Sequence, residues 1–271
     1  MSQPTDYFLG QSSAEHARLL SQALELEQRS RQHLERAGIQ PGWRVIDVGC
    51  GPQGVLHVLA DQVGPTGTVV GLERDPRLVA QARAFVIERG FTNVKVIQGD
   101  ARAAGLLRGS FDLVHERTVL VNVPEPEHIL SEMVALARPG GAVAAWEPDW
   151  ASWLCYPLHP AWTRIMEALQ AISLQDGQDC FIGRRLAGLL RATGLVEVTQ
   201  EVGVDEWPVD HPRRMLLIQF MENVRERAVA RGFFSDVELT DLLVALRRHL
   251  DDPETFQLSL VWFRAWGHKP A

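Results

Sequence analysis

The chain has 271 residues, 46% of them hydrophobic, with a formal net charge of −7. That length fits one elaborated α/β domain, or a core carrying a cap. The acidic balance argues against a nucleic-acid substrate, which needs clustered cations, and no apolar run approaches the ~18 residues of a membrane span.

The elements read in order as follows. Residues 13 to 37 carry helical apolar spacing at Ala17, Leu20, Leu24 and Leu34; Ser12 or Ser13 can cap this helix and Gly38 ends it. Strand one is Arg44 to Val48, followed by a helix from Val55 to Val63. Strand two is Gly67 to Leu72. Asp75-Pro76 opens a helix to about Arg89, which Gly90 stops. Strand three is Val94 to Ile97 and strand four Phe111 to His115. A helix covers Pro126 to Ala137, and strand five is Ala142 to Glu147. A sixth strand is expected near Val196 to Val202 and a seventh near Phe256 to Trp266. Two helical patterns, roughly 212 to 231 and 236 to 250, fall between them. Strands alternating with helices predict an α/β fold with a doubly wound, mostly parallel seven-stranded sheet. Residues 1–37 read as an N-terminal lid segment and 38–150 as the ligand-binding core. Residues 151–271 complete the sheet and carry cap insertions at about 151–180 and 205–254.

Three cysteines, Cys50, Cys155 and Cys180, are an odd number without metal-ligand spacing. They predict a reduced, cytoplasmic protein. Nine histidines include no H-x-x-x-H pair, so no metal site is expected. The first six residues lack both a basic and an apolar stretch, so no signal peptide is visible. Arginines at 213–214 and between 225 and 231 are interleaved with acidic and apolar residues and read as solvated helix faces.

The most informative stretch is Val45-Ile46-Asp47-Val48-Gly49-Cys50-Gly51-Pro52-Gln53-Gly54. An apolar strand runs into an acid and then into a glycine turn. Gly49 permits the tight turn, and Gly51 lets a ligand approach the backbone. Glu73, nineteen residues past Gly54, ends the second strand, where a carboxylate accepts from a ribose diol. The same glycine spacing occurs in dinucleotide sites. Asp47 argues against that alternative. A carboxylate opposes a pyrophosphate at a helix N-terminus but suits a ligand with a cationic amino group.

With its further landmarks the chain resembles the class I S-adenosylmethionine-dependent methyltransferases, in their bacterial small-molecule branch. These landmarks are Gln98-Gly99-Asp100-Ala101, Phe111-Asp112-Leu113-Val114, Val123-Pro124-Glu125-Pro126 and Arg138-Pro139-Gly140-Gly141. Tyr7-Phe8-Leu9-Gly10, with Glu15, Arg18 and Leu19 behind it, is similar to that branch's N-terminal segment. Many members carry glycine where Gln53 stands.

The resemblance implies S-adenosylmethionine as methyl donor, S-adenosylhomocysteine as product, and a cofactor site made of Tyr7, Asp47, Gly49, Gly51, Glu73, Arg74, Asp100, Ala101, His115 and Arg117. Glu73 would accept from the ribose and Asp100 from the adenine amine. Asp47 would lie near the methionine amino group, or hold the loop's own N–H groups. Arg117 would hold the methionine carboxylate or pair with Glu116. Base candidates are His115, Glu116, Glu147 and Asp149, since strands four and five are expected to end on one crevice. Among them Glu147 is the first choice. Trp146 and Trp150, flanking Glu147 and Asp149, would form a wall for an aromatic, cationic or amine acceptor. The partner is expected to be a small molecule, neither nucleic acid nor membrane, and the chain a monomer or homodimer. An NAD-dependent oxidoreductase and a non-catalytic S-adenosylmethionine-binding relative are the alternatives.

Overall fold

The computed structural model describes residues 13–271. Its helices are α1 (Ser13–Glu25), α2 (Glu27–Arg36), α3 (Leu56–Val63), α4 (Pro76–Glu88), α5 (Pro126–Leu136), α6 (Pro160–Gln175), α7 (Ile182–Ala192), α8 (Leu216–Asn223), α9 (Arg225–Ala230) and α10 (Asp236–Leu250). Its strands are β1 (Arg44–Val48), β2 (Thr68–Glu73), β3 (Val94–Gln98), β4 (Phe111–Arg117), β5 (Ala137–Asp149), β6 (Leu154–Tyr156), β7 (Val196–Gly203), β8 (Phe256–Leu258) and β9 (Val261–His268).

The main sheet has seven strands in the order β3-β2-β1-β4-β5-β9-β7. The first five are parallel, and β9 runs antiparallel to both β5 and β7. This is the expected doubly wound, mostly parallel sheet, closed at one edge by the antiparallel strands β9 and β7. The central strands β1, β4 and β5 are covered on both faces, so they are mostly apolar and their side chains alternate between two cores. Val45, Leu113 and Ala144 pack toward α2, α3 and α4. Ile46, Val114, Val143 and Ala145 pack toward α5, α7 and the cap.

Local signals set the boundaries. Asp75 accepts from the Arg77 N–H at the start of α4, with Pro76 in the first turn. Ser235 and Glu238 form a reciprocal capping box on α10. Within the N-terminal segment the helical run breaks at Leu26 into α1 and α2. The segment after β5 holds β6 and α6. The expected seventh strand divides into β8, which pairs with β6 in a separate ribbon, and β9. Trp153, Trp162, Trp207 and Phe220 interlock in the cap interior with ring centroids 5.7–6.1 Å apart. Among the described residues no helix is long and apolar enough to cross a membrane.

Candidate active site

A cavity of about 630 Å³ opens above the C-terminal ends of β1, β2 and β4. The strand order reverses between β1 and β4, which is where open α/β sheets leave a crevice. The turn after β1 forms its floor. Gly49, Gly51 and Gly54 have φ of +68°, +58° and +50°, a region costly for other residues. A Cβ on Gly54 would stand 2.4 Å from the Cys50 carbonyl oxygen and 2.7 Å from Asp47 Oδ2, so the glycine after Gln53 is required by backbone crowding. A Cβ on Gly51 would meet nothing within 4 Å. That position leaves room for a ligand.

Four charged groups surround this turn. Asp47 lines the cavity although it is only 2% exposed. Its Oδ1 lies 2.8 Å from His115 Nδ1, and its Oδ2 accepts from Val55 N–H at 3.4 Å. Glu73, at the end of β2, accepts from the N–H groups of Gly51 (3.0 Å), Arg74 (2.7 Å) and Asp75 (2.9 Å). Burial raises its carboxyl pKa, and these three backbone donors oppose the rise. Asp100 and Ala101 line the cavity past β3. The Arg102 guanidinium holds Asp100 below the usual carboxylate range. Arg117, at the end of β4, donates to Ser30 Oγ at 2.7 Å and lies 5.8 Å from the Trp146 ring. Burial lowers its guanidinium to about 10, against the pull of Asp47.

The wall facing this charged end comes from residues 117–124 and from α1. Thr118, Val119, Asn122, Val123 and Pro124 line it, with Leu19 and Gln22 opposite. Thr118 has φ +58° and starts a tight return that continues as a 3-10 turn at Leu120–Asn122. Val119 packs on the glycine turn; a Cβ on Gly49 would stand 2.5 Å from its Cγ2.

A family model described as a methyltransferase domain matches residues 39–182. The chain belongs to the class I S-adenosylmethionine-dependent methyltransferase family. It is similar to the demethylmenaquinone methyltransferase of Anoxybacillus flavithermus, with 35% identity over 114 residues, 42% of this chain and 48% of that protein. It is also similar to the nocamycin O-methyltransferase of Saccharothrix syringae, with 30% identity over 183 residues, 63% of this chain and 65% of that protein. The matched region thus spans half to two thirds of these relatives' lengths. In fold it resembles a putative methyltransferase from Bacillus halodurans, with a TM-score of 0.62 and 16% identity over 89% of this chain and 98% of that one.

In this methyltransferase fold, Asp47, Gly49, Gly51, Glu73, Arg74, Asp100, Ala101 and Arg117 come together around one cavity. Tyr7, Ser12 and the rest of the segment before α1 lie outside the described residues. The expected base and acceptor residues are placed elsewhere. His115 is fully buried behind Asp47, facing α2 and His33, and does not line the cavity. Glu116 and Glu147 are fully buried beneath the 118–122 return, which covers the ends of β4 and β5. Asp149 caps the turn at Trp150–Ser152 and pairs with Arg184 of α7. Trp146 is wedged between Arg117 and Arg264 with its ring edge-on to Trp262, and Trp150 packs against Phe220 in the cap. The expectation of carboxylates and tryptophans converging on a crevice between strands four and five is therefore corrected: the chain returns over those strand ends and seals them. Arg117 also does not pair with Glu116, whose oxygens take the N–H groups of Trp146 and Val119.

Sequence reasoning missed the wall of Thr118, Val119 and Asn122, which carries no recognisable chemical motif. The helices between 205 and 254 line no part of the cavity among the described residues; they reach it through α1. Asn223 donates to Glu15 at 3.0 Å, and Glu15, 2% exposed, is a lining residue whose carboxylate also takes the Arg18 guanidinium.

Proposed function

We propose that this protein transfers the methyl group of S-adenosylmethionine to a small organic acceptor held against the 117–124 wall. The observation that carries the reading is charge placement. One cavity presents an acid beneath a glycine turn (Asp47), an acid at the end of β2 (Glu73), an acid past β3 (Asp100) and a cation at the end of β4 (Arg117). Asp47 suits the ammonium of the methionine tail and Arg117 its carboxylate. Glu73 suits the ribose hydroxyls, and Asp100 with Ala101 the adenine edge. A pyrophosphate placed on the same turn would face Asp47 and be repelled. The cavity volume lies in the ordinary range for small-molecule sites.

When bound, S-adenosylmethionine supplies a methyl group already activated by its sulfonium charge. The protein's own contribution is alignment. The glycine turn and Glu73 fix one end of the cavity. Arg117, held by Ser30 and Trp146, fixes the tail. Leu19, Val119, Val123, Pro124 and Ile129 give the acceptor side an apolar surface that excludes water. The four base candidates lie off the cavity, and Glu15 is held by Arg18 and Asn223. The reading therefore assigns rate enhancement to proximity rather than to a carboxylate base.

The test is calorimetry and thermal shift with S-adenosylhomocysteine against NAD, followed by mass spectrometry of methylated products from a panel of small acceptors. Saturable binding of S-adenosylhomocysteine with 1:1 stoichiometry is expected. Stabilisation by NAD with no response to S-adenosylhomocysteine would refute the reading.

A further inference from the structure

Glu116 and Glu147 are not explained by cofactor binding, yet both are 0% exposed. They sit on neighbouring parallel strands and on one face of the sheet. Glu116 is opposite Ala145, and Glu147 follows two residues later. Three of their four oxygens have donors, all of them backbone. Glu116 Oε1 accepts from Trp146 N–H at 3.1 Å and Oε2 from Val119 N–H at 3.1 Å. Glu147 Oε1 accepts from Leu120 N–H at 2.6 Å. Glu147 Oε2 is buried with no donor.

Among the described residues neither carboxylate has an ion-pair partner, although the His115 and Arg117 charges act on Glu116 from a distance. His115 and Arg117 flank Glu116 in sequence, but strand alternation turns them to the opposite face, where they meet Asp47 and Ser30. Arg184 of α7 reaches β5 on the pair's own face and is held by Asp149. Two adjacent carboxylates buried in this way with no ion-pair partner do not both ionise; such pairs keep one proton between them. The hydrogen bonds decide where it resides. Glu116 accepts on both oxygens, as a carboxylate does. Glu147 accepts on one and has the other free of donors, as a carboxylic acid does.

We propose that Glu147 is a positioning residue: it carries the pair's single proton, donates it to Glu116, and with Glu116 clamps the 118–122 return that forms the acceptor-side wall of the cavity. The inference rests on the methyltransferase reading of that cavity. The clamped segment needs holding, since Thr118 is in the left-handed region. It also has something to transmit. The N–H that Glu116 binds belongs to Val119, whose side chain packs on Gly49 of the cofactor turn. The next N–H, from Leu120, is taken by Glu147, and the segment ends at Asn122 on the cavity wall. Consistent with this, burial raises both carboxyl groups, and the charge of Glu116 pushes Glu147 further up.

The proposal makes an asymmetric prediction. Glu147→Gln reproduces the acid, with one acceptor for Leu120 and an N–H donor for Glu116. Glu116→Gln cannot reproduce the carboxylate, because one amide oxygen cannot serve Val119 and Trp146 in their present places. The experiment compares full-length wild type, Glu147→Gln, Glu116→Gln and Glu147→Ala by infrared spectroscopy in H₂O and D₂O and by S-adenosylhomocysteine calorimetry. Wild type should show an exchangeable protonated-carboxyl stretch at neutral pH that disappears in Glu147→Gln. Affinity should stay within about 3-fold in Glu147→Gln and fall about 10-fold or more in Glu116→Gln and Glu147→Ala, where a buried polar group loses its partner. Absence of the carboxyl band, or equal losses in Glu147→Gln and Glu147→Ala, would overturn the proposal. Should Glu147→Ala not fold, the Gln pair and the band still decide it. A wild-type protein that shows the band but binds no S-adenosylhomocysteine refutes the cofactor reading while upholding the proton assignment.

Discussion

Replacing Arg117 with Met separates recognition of the methionine tail from general support of the cavity. Arg117 donates to Ser30 and lies on Trp146, so truncation could act in two ways. If the guanidinium binds the ligand carboxylate, its loss removes a charge-assisted contact worth about 1.5–3 kcal/mol, or roughly 10- to 150-fold in Kd. Burial already depresses the guanidinium to about 10, so an arriving anion relieves an unfavourable state and the upper part of that range is expected. Methylthioadenosine carries the same nucleoside and thioether without the amino-acid tail. Calorimetry should therefore show a large loss for S-adenosylhomocysteine and about a 2-fold change or less for methylthioadenosine. Equal losses for both ligands would mean that Arg117 only supports the wall through Ser30 and Trp146. Unchanged affinity for both would remove Arg117 from the site.

Four further outcomes can be checked. Glu73→Gln should weaken S-adenosylhomocysteine by about 1–3 kcal/mol, because an amide N–H would face the Gly51 donor. In the wild type, affinity should fall as pH drops through the raised Glu73 range, since protonation removes an acceptor; a flat calorimetric profile down to pH 4.5 would contradict this. Asp149→Asn should lower the melting temperature through the lost Arg184 pair and weakened turn cap, yet leave cofactor affinity unchanged; a fall in affinity would return Asp149 to the site. His33 is fully buried with neither ring nitrogen bonded, and burial lowers its pKa well below 6.5. Its unfolded state therefore takes up a proton that the folded state refuses, and stability declines as pH falls below about 6.5, by up to about 1.4 kcal/mol per pH unit. Urea titrations of wild type and His33→Phe should diverge in that acid limb, and parallel curves would exclude His33 as the cause.

How much of this was legible in the sequence depended on whether the signal was local. Asp47, the glycine turn, Glu73 and Asp100 each sit at a strand end followed by a turn or helix start, so spacing alone places them on one edge. The doubly wound, mostly parallel sheet followed from the alternation of elements. What failed was direction. In His115-Glu116-Arg117, consecutive residues of a doubly covered strand face opposite cores, and charge alone does not tell which side meets the ligand. The return at 118–122 then buries the strand ends that looked like a crevice. Its key residues, Thr118 and Val119, are ordinary in type, and their role comes from a left-handed φ and from packing on Gly49. The sequence-derived elements also omit α7 and the short β6–β8 ribbon. Three-residue strands in the ribbon offer too few positions for alternation to stand out.

Asp47 shows why two readings of one residue need not compete. Its Oδ2 accepts from Val55 and would crowd a Cβ on Gly54, which is the structural use; its place on the cavity floor is the basis of the use proposed for it. The two are joined through His115. A buried carboxylate with only one long backbone hydrogen bond would be free to rotate, and rotation would weaken its attraction for an ammonium group. The 2.8 Å contact to His115 Nδ1 holds it from the side away from the cavity, so the carboxylate keeps its orientation toward the cavity. The histidine expected as a base is thus placed off the cavity as the side-chain partner of a buried acid. The same arrangement explains why β4 carries a polar triplet at a strand end otherwise packed in apolar core: His115 serves Asp47, Glu116 serves the 118–122 return, and Arg117 faces the cavity. Each residue holds a different piece of one wall.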